Sequence, residues 1–404
     1  MKILVLAGGT DQIALINELK YRGHYVILVD YFDNPPAKDY ADKHIIASTL
    51  DQKRIKELAI REKVDLICTA CTDQALLTVA YVSEKLGLPC YLDYETGLNV
   101  TNKSYMKGVL ISNGIPTAKY TVIGEKDDYI TKLKEFRYPL VVKPVDCNSS
   151  KGVKRLDNSE DCEKYLKIAI EYSRTKTAIV EEFKIGEEIS ADFYIENGIA
   201  KLLSATSSQK IKNTNSFTII SSSYPAVNNY QEKTLVDIAM RIAKAFSLDN
   251  TPLLVQLIVN NDEMSVVEFS ARMGGGSKYK LIQVLSGVNI MSKYVDRILG
   301  DYPEVNPSKL VGYAKMVYVY CNPGIFNRVE GFESLKNDGV IDDFFIYKTK
   351  GMEIKTAETS SDRLAGYLCT GTSEAELKEK VRLVDERIRV FSSENNDIML
   401  HLLV

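Results

Sequence analysis

The chain has 404 residues, 45% of them hydrophobic and 26% charged, with 51 basic against 54 acidic side chains and a formal net charge of −3. These values exclude disordered and fibrous classes, and they remove any overall electrostatic case for nucleic acid or an anionic membrane as partner. Seven cysteines, odd in number and irregularly spaced, do not make a disulfide framework and fit a reducing, cytoplasmic compartment.

At this length two or three domains are expected. The first apolar run, KILVL at 2–6, stops at Gly8-Gly9, too short for a secretory signal. The longest run elsewhere, at 253–259, contains Gln256 and cannot span a bilayer. After the first run, Ile13, Ile16 and Leu19 recur at helical spacing, so the start reads strand, turn, helix. The pattern repeats with a strand at 24–29, a helix at 53–61, a strand at 65–68 and a helix at 74–86. Such alternation predicts an α/β, Rossmann-like parallel-sheet domain over 1–98. Its turn, Gly8-Gly9-Thr10-Asp11-Gln12, is not GxGxxG, and Asp30 alone is a weak ribose acceptor, so a nicotinamide reading is set aside. Cys68 and Cys71 form a CxxC without a second pair at zinc spacing, and read as packing.

From 99 onward the texture changes to α+β. A helix at 103–113 ends at Gly114-Ile115-Pro116. A strand at 120–123, a helix at 129–136 and a strand at 139–143 follow. Beyond a Ser, Lys and Gly loop at 148–153 come a helix at 160–172 and strands at 177–182, 188–195 and 199–207. A helix at 231–246 leads to a β-hairpin, 253–259 and 264–269, turned at 260–263. This middle domain is expected over 99–305, with Asn306-Pro307-Ser308 as its boundary. Strands at 312–320, 341–347 and 364–371 and a charged helix at 374–391 make a small C-terminal, β-rich α+β domain over 306–404.

The chemistry-bearing signals lie in the middle domain. A buried strand, YPLVVKP at 138–144, delivers Lys143 close to the loop Asn148-Ser149-Ser150-Lys151-Gly152-Val153. A strand-borne ammonium beside a small-residue loop suits a polyphosphate, because backbone N–H groups cradle oxygens while lysine neutralises charge. Glu181 and Glu188, seven apart, stand at positions from which carboxylates can address a base and a ribose. On the hairpin, Gln256, Glu268 and Ser270 can share one face. A carboxylate within the apolar run around Glu268 needs a cation, and Mg²⁺ bridging carboxylate to phosphate is the natural one. Arg272 follows, and then Gly274, Gly275 and Gly276, whose backbone N–H groups can approach a carboxylate or phosphate.

Taken in order, this lysine strand, loop, Glu pair and EFSAR hairpin resembles the ATP-grasp superfamily over nearly the whole chain. The resemblance implies ATP and Mg²⁺ as cofactors. It implies that Lys103 and Lys143 meet ATP phosphates under a loop of Ser149, Ser150, Lys151, Gly152 and Val153. Glu181 would meet the adenine, main-chain groups of Glu182 and Phe183 its edge, and Glu188 the ribose. Gln256, Glu268 and Ser270 would hold the metal, where the family pattern has an acidic residue, Glu and Asn. Arg272 would steady the acyl phosphate, with Gly274, Gly275 and Gly276 beside the substrate. With Gln256 and Ser270 neutral, either the metal is held mostly through ATP oxygens or turnover is weakened.

The outer thirds of the chain resemble the carboxylate–amine ligase branch. EFSARMGGG at 268–276 and DRLAGYLCTG at 362–371 are similar to L-amino acid ligases. LAGG at 6–9 and EFSAR at 268–272 are similar, more weakly, to phosphoribosylglycinamide synthetases, which carry Asp-Pro-Glu near where Gly275-Gly276-Ser277 stands here. The expected reaction joins a small-molecule carboxylate, an amino acid by this resemblance, to an amine through an acyl phosphate, releasing ADP and phosphate. The alternatives are a purine-biosynthesis ligase of the phosphoribosylglycinamide synthetase type and a nucleotide-binding protein with a weakened metal site. Substrate choice is expected to rest on 207–224 and 273–280, and the architecture suggests a homodimer. Cys147, beside the loop, has no histidine near it in sequence for thiol catalysis.

Overall fold

The computed structural model describes residues 1–211 and 217–401, so part of the 207–224 segment lies outside the described residues. The chain begins with β1 (Lys2–Leu6), α1 (Thr10–Tyr21), β2 (Tyr25–Asp30), β3 (Lys43–Ile46), α2 (Gln52–Glu62), β4 (Leu66–Cys68) and α3 (Asp73–Leu86). The four strands form a parallel sheet in the order β3-β2-β1-β4. β1 and β2 are almost wholly buried, as the continuous apolar runs of parallel strands covered on both faces require. β3 is an edge strand of sequence KHII with no fully buried residue, which is why no apolar periodicity announces it. Asp30 accepts the N–H groups of Gly8 at 2.6 Å and Phe32 at 2.8 Å, so its carboxylate holds the first turn together. Cys68 packs in the core against this sheet, and both it and Cys71 are free thiols.

Next come α4 (Tyr94–Thr101) and α5 (Lys103–Ser112), the latter capped by the Asn102 side chain on the Ser104 N–H at 2.9 Å. β5 (Tyr120–Gly124), α6 (Tyr129–Leu133), β6 (Leu140–Pro144), β7 (Lys154–Leu156), α7 (Cys162–Tyr172) and β8 (Thr177–Glu182) follow. Their strands make an antiparallel sheet in the order β5-β8-β6-β7. Leu140 and Val142 of β6 enter its core, so the alternating Val141 and Lys143 face the other way.

The remaining elements are β9 (Glu187–Glu196), β10 (Ile199–Lys210), β11 (Ile219–Tyr224), α8 (Asn229–Ala245), β12 (Thr251–Asn260), β13 (Glu263–Ser270), α9 (Lys278–Ser286), α10 (Ile290–Ile298) and β14 (Tyr313–Val319). Beyond them lie β15 (Gly324–Glu330), α11 (Phe332–Asn337), β16 (Asp343–Ile346), β17 (Glu353–Ile354), β18 (Ala365–Gly371), α12 (Glu374–Arg387) and β19 (Arg389–Ser392). An eight-stranded sheet, β13-β12-β9-β10-β11-β14-β18-β16, runs without a break across the 306–312 connection. β9 shows how it is sandwiched. Ile189, Ala191, Phe193 and Ile195 pack with α8, while Tyr194 packs with α10 and the N-terminal sheet. The helix expected to reach 391 ends at Arg387, and Arg389–Ser392 pairs with β15 instead. There Ile388 and Val390 are buried two apart, a strand period that overrides the helical one. No helix among the described residues is long and apolar enough to cross a membrane.

Candidate functional site

Two cavities meet at the β12–β13 hairpin. The first, about 340 Å³, lies between the four-stranded sheet and that hairpin. Val141, Phe183, Ile258 and Val266 give it apolar walls, and Lys103, Lys143, Glu181 and Glu268 give it charge. Lys143 reaches it because Val141, two residues earlier on β6, sets the exposed face, and Val141 is the register partner of Glu181 on β8. Lys143 Nζ is 2.7 Å from Glu181, and Lys107 Nζ approaches the other carboxylate oxygen at 3.1 Å. Burial opposes the charge on Glu181, yet the two lysines outweigh it and hold the carboxyl below its usual range. Lys107, fully buried in α5, is pushed down to about 8 by that burial, with Glu181 opposing. Lys103 Nζ sits 3.0 Å from Glu268 and donates to the Cys147 carbonyl at 2.8 Å. Despite burial, Lys103 and Lys143 hold the Glu268 carboxyl low, so it is anionic at neutral pH. At the far end Lys210 pairs with Glu188 at 2.5 Å and lies over the Phe217 ring.

The loop after β6 turns through two successive left-handed residues, Ser149 and Ser150, with φ of 59° and 62°. It bridges the molecule: Ser149 accepts the Ser360 N–H at 3.3 Å, and Ser150 Oγ donates to the Phe217 carbonyl at 3.4 Å.

The second cavity, about 460 Å³, opens on the other side of Glu268 and gathers residues from the first turn, the start of α3, the glycine stretch after β13 and the C-terminal third. Arg272 grips Asp73 with both sides of its guanidinium, Nε donating to Oδ1 at 2.8 Å and Nη2 to Oδ2, while Nη1 donates to the Met273 carbonyl at 2.8 Å. Although burial works against its charge, Asp73 holds Arg272 firmly protonated. Asp11 accepts the N–H groups of Gly276 at 3.0 Å and Ser277 at 2.7 Å, while burial still raises its carboxyl. Lys278 is buried with Nζ donating to Ser190 Oγ at 2.6 Å and lying 3.8 Å from Asp192; burial lowers it and Asp192 opposes. Gly276 has φ +73°, and a Cβ there would fall 2.5 Å from an Arg363 nitrogen and 2.7 Å from the Tyr318 hydroxyl. No larger residue fits.

Among the candidates from the sequence, Lys103, Lys143, Val153, Glu181, Glu182, Phe183 and Glu188 line the first cavity. Lys151, Arg272, Gly274, Gly275 and Gly276 line the second. Ser149, Ser150, Gln256 and Glu268 line both, and Gln256 and Glu268 are direct register partners. Gly152 and Ser270 line neither; Ser270 is buried opposite Leu254. The Glu181 carboxylate is engaged by two lysines rather than left open toward a base. Sequence reasoning missed Lys107, Asp73, Asp11, Lys210 and Lys278. Only Lys107 carried a local signal, one helical turn after Lys103 on the same face. The others are brought in by contacts across the fold, as in Asp73 with Arg272, 199 residues apart.

Comparison with known proteins covers the same stretch of chain. The model of the ATP-grasp domain matches residues 136–280, and that of the L-amino acid ligase C-terminal domain 2 matches 317–391. The chain has the ATP-grasp fold, with an ATP-grasp domain at 136–280. The ATP-grasp match holds β6 through β13, and with them Lys143, the loop, Glu181 and the hairpin. A formate-dependent phosphoribosylglycinamide formyltransferase of Ignicoccus hospitalis is 27% identical over 198 residues, 48% of this chain and 49% of that protein. The chain thus spans about half the length of that relative. A phosphoribosylamine–glycine ligase of Pyrococcus furiosus is 21% identical over 78% of this chain and 76% of its own. The solved L-amino acid ligase of Bacillus licheniformis superposes with a TM-score of 0.79 over 97% of this chain and 98% of its own, at 20% identity, a likeness of fold.

Proposed function

We propose that this ATP-grasp chain is an ATP-dependent carboxylate–amine ligase that activates an amino acid's carboxylate as an acyl phosphate and transfers the acyl group to an amine. The observation that carries the reading is the shared wall. A nucleotide-sized cavity with apolar sides and a polar cavity beside it meet at Ser149, Ser150, Gln256 and Glu268. A γ-phosphoryl group delivered from the first would emerge into the second.

In this reading the base lies between Val141, Phe183 and Ile258, and Glu188 takes the ribose, releasing Lys210. Lys103 and Lys143 neutralise phosphate oxygens, while Glu181, held also by Lys107, fixes where Lys143 points. Glu268 and Gln256 would hold Mg²⁺, one carboxylate and one amide oxygen, a donor set that fits a hard cation shared with phosphate oxygens. Bound there, the metal would supply charge neutralisation at the transferring group. Arg272, fixed by Asp73, faces the acyl phosphate and the charge that develops on it. The carboxylate oxygen attacks the γ-phosphorus and ADP leaves. The amine nitrogen then attacks the acyl carbon, phosphate departs, and the nitrogen sheds a proton. No protein nucleophile is needed; positioning and charge do the work.

A second reading, nucleotide binding without turnover, draws on the neutral Gln256 and on Lys103 already neutralising Glu268. An ADP-release assay with amino acids singly and in pairs, and with phosphoribosylamine plus glycine as the contrasting set, separates the two. Nucleotide binding with no substrate-stimulated ADP across the whole panel would establish the second reading.

A further inference from the structure

The eight-stranded sheet carries two helices on one face and a gap between them. α8 packs there over β9 and over Ala205 of β10, and α12 packs there on Val317, Tyr367 and Cys369 of β14 and β18. The register shows that both helices share the face. Ser207 pairs with Ser223, Ser223 with Lys315 and Lys315 with Cys369, and Ser207 follows Ala205 by one strand period. Between the helices, β10, β11 and β14 floor a groove of about 800 Å³, larger than either cavity of the candidate site and within the range of small-molecule sites. On the α12 side its wall is apolar, with Leu377 and Val381 packed against Val317 and Tyr367; on the β11 side it is polar, with Ser207, Gln209 and Ser223. Lys315 stands between the two walls, inside the sheet and half-buried. Its ammonium has neither a carboxylate partner nor a hydrogen-bond acceptor among the described residues. The other charged groups of the groove belong to α12 and are engaged there: Lys378 with Glu374 at 2.8 Å, Arg382 with Glu379 and Glu386, and Asp385 with His401 at 3.3 Å. Burial and then Lys378 work against the charge on Lys315, with Glu374 opposing, so an anion brought to it would relieve both.

We propose that this groove is a binding site for an aromatic monocarboxylate, with the carboxylate on Lys315 and the ring between α12 and the sheet. The inference does not depend on the ligase reading. Charge sets the valence of the ligand: Lys315, Lys378 and Arg382 against Glu374 and Asp385 leave one positive charge, carried by the one unpaired ammonium. A monoanion matches it, whereas a phosphate ester dianion would leave a negative charge without a partner beside Glu374. Shape and polarity set the body. Leu377, Val381 and the Tyr313 and Tyr367 side chains, all part of the α12 core, suit a flat apolar ring, and the serine edge suits one hydrogen-bonding group on it. The site is separate from the second cavity. Ser208, Ser222 and Tyr318, each next in sequence to a residue of the groove floor, line that cavity from the opposite face of the same three strands.

The test uses the full chain and three probes, indole-3-propionate, its neutral amide and phenyl phosphate, each titrated calorimetrically. In the wild-type protein the acid is expected to bind about tenfold or more tightly than the amide, the scale of a charged hydrogen bond, and more tightly than phenyl phosphate. K315M is expected to remove the preference for the acid and K315R to recover part of it, while R272M, altered in the second cavity, binds the acid as the wild type does. No binding of the acid at millimolar concentration overturns the proposal, as does equal affinity for acid and amide. So does an acid affinity unchanged in K315M, or one lost in R272M, which would put the probe in the second cavity. Tighter binding of phenyl phosphate would make the ligand a phosphate and likewise overturn it. Should K315M lack a cooperative thermal transition, K315Q reads the same preference, and the comparison of acid with amide in the wild type needs no substitution.

Discussion

The two cavities that meet at Glu268 are built by opposite means. In the first, Lys107, Lys143 and Glu181 come from one helix and two strands of a single stretch of chain, and the later strands add Lys210 and Glu268. In the second, Asp11, Asp73, Arg272 and Arg363 arrive from four distant segments, and backbone N–H groups and aromatic rings complete their shells. On the proposed function the first cavity is the nucleotide site, built within the middle of the chain, whereas the second depends on how the outer thirds close on that middle. Binding of ATP and choice of substrate should then fail separately.

The largest expected effect lies on the wall between them. Glu268→Ala should lower kcat by about 100-fold or more, because the remaining Gln256 offers only a neutral oxygen to a hard cation. ATP affinity, read by calorimetry, should change much less; comparable turnover in the variant would remove the hairpin from the chemistry. Next is Asp73→Asn, which frees the Arg272 fork and should cost about tenfold in kcat/KM for the acid with ATP affinity intact. Equal losses in both would show that the cavities are one unit. Lys143→Met should do the reverse, raising the ATP dissociation constant by about tenfold while the melting temperature moves little, since Lys107 still partners Glu181. A smaller effect is expected from Gln256→Glu, which adds the carboxylate of the family pattern. The magnesium concentration for half-maximal activity should fall by about threefold without a gain in kcat, because the new charge also repels the phosphates.

The mildest prediction concerns pH. Lys107, lowered from the usual lysine range to about 8 by burial, is charged below that pH and neutral above it. Bound ATP favours the charged form, so affinity should decline as pH rises through about 8. Stability runs the other way. Between about 8 and the ordinary lysine value the unfolded chain holds a proton that the folded one has lost, so folding becomes more favourable as pH rises. A flat affinity profile across pH 7 to 9.5, or the same decline in Lys107→Gln, would detach this lysine from the nucleotide.

The same contrast explains what could be read from the residues alone. Strands such as 138–144 and 264–270 advertise themselves by apolar runs with a single interrupting charge, and those charges, Lys143 and Glu268, line the first cavity. α9 and α10 escaped notice because Lys278, Tyr279 and Lys280 blur the apolar stripe that actually buries Leu281, Ile282 and Leu285. Asp73 looks like an ordinary helix N-terminal acid until the fold brings Arg272 to it. Arg363 sat within a segment noted only for its likeness to L-amino acid ligases, and the ring that orients it, Tyr318, lies on a different strand. Periodicity reports burial, and it is silent on which distant side chain completes a polar shell.

The eight-stranded sheet has a consequence for anyone who would cut this protein. Asn306-Pro307-Ser308 looks like a convenient junction, yet β11 on one side of it is bonded to β14 on the other from Ser221 to Tyr224. A fragment stopped there would present the open backbone of β11, with its serines and a tyrosine, as a sticky ladder for the next molecule in solution. The connection is a seam in the primary structure that the hydrogen bonds have sewn shut.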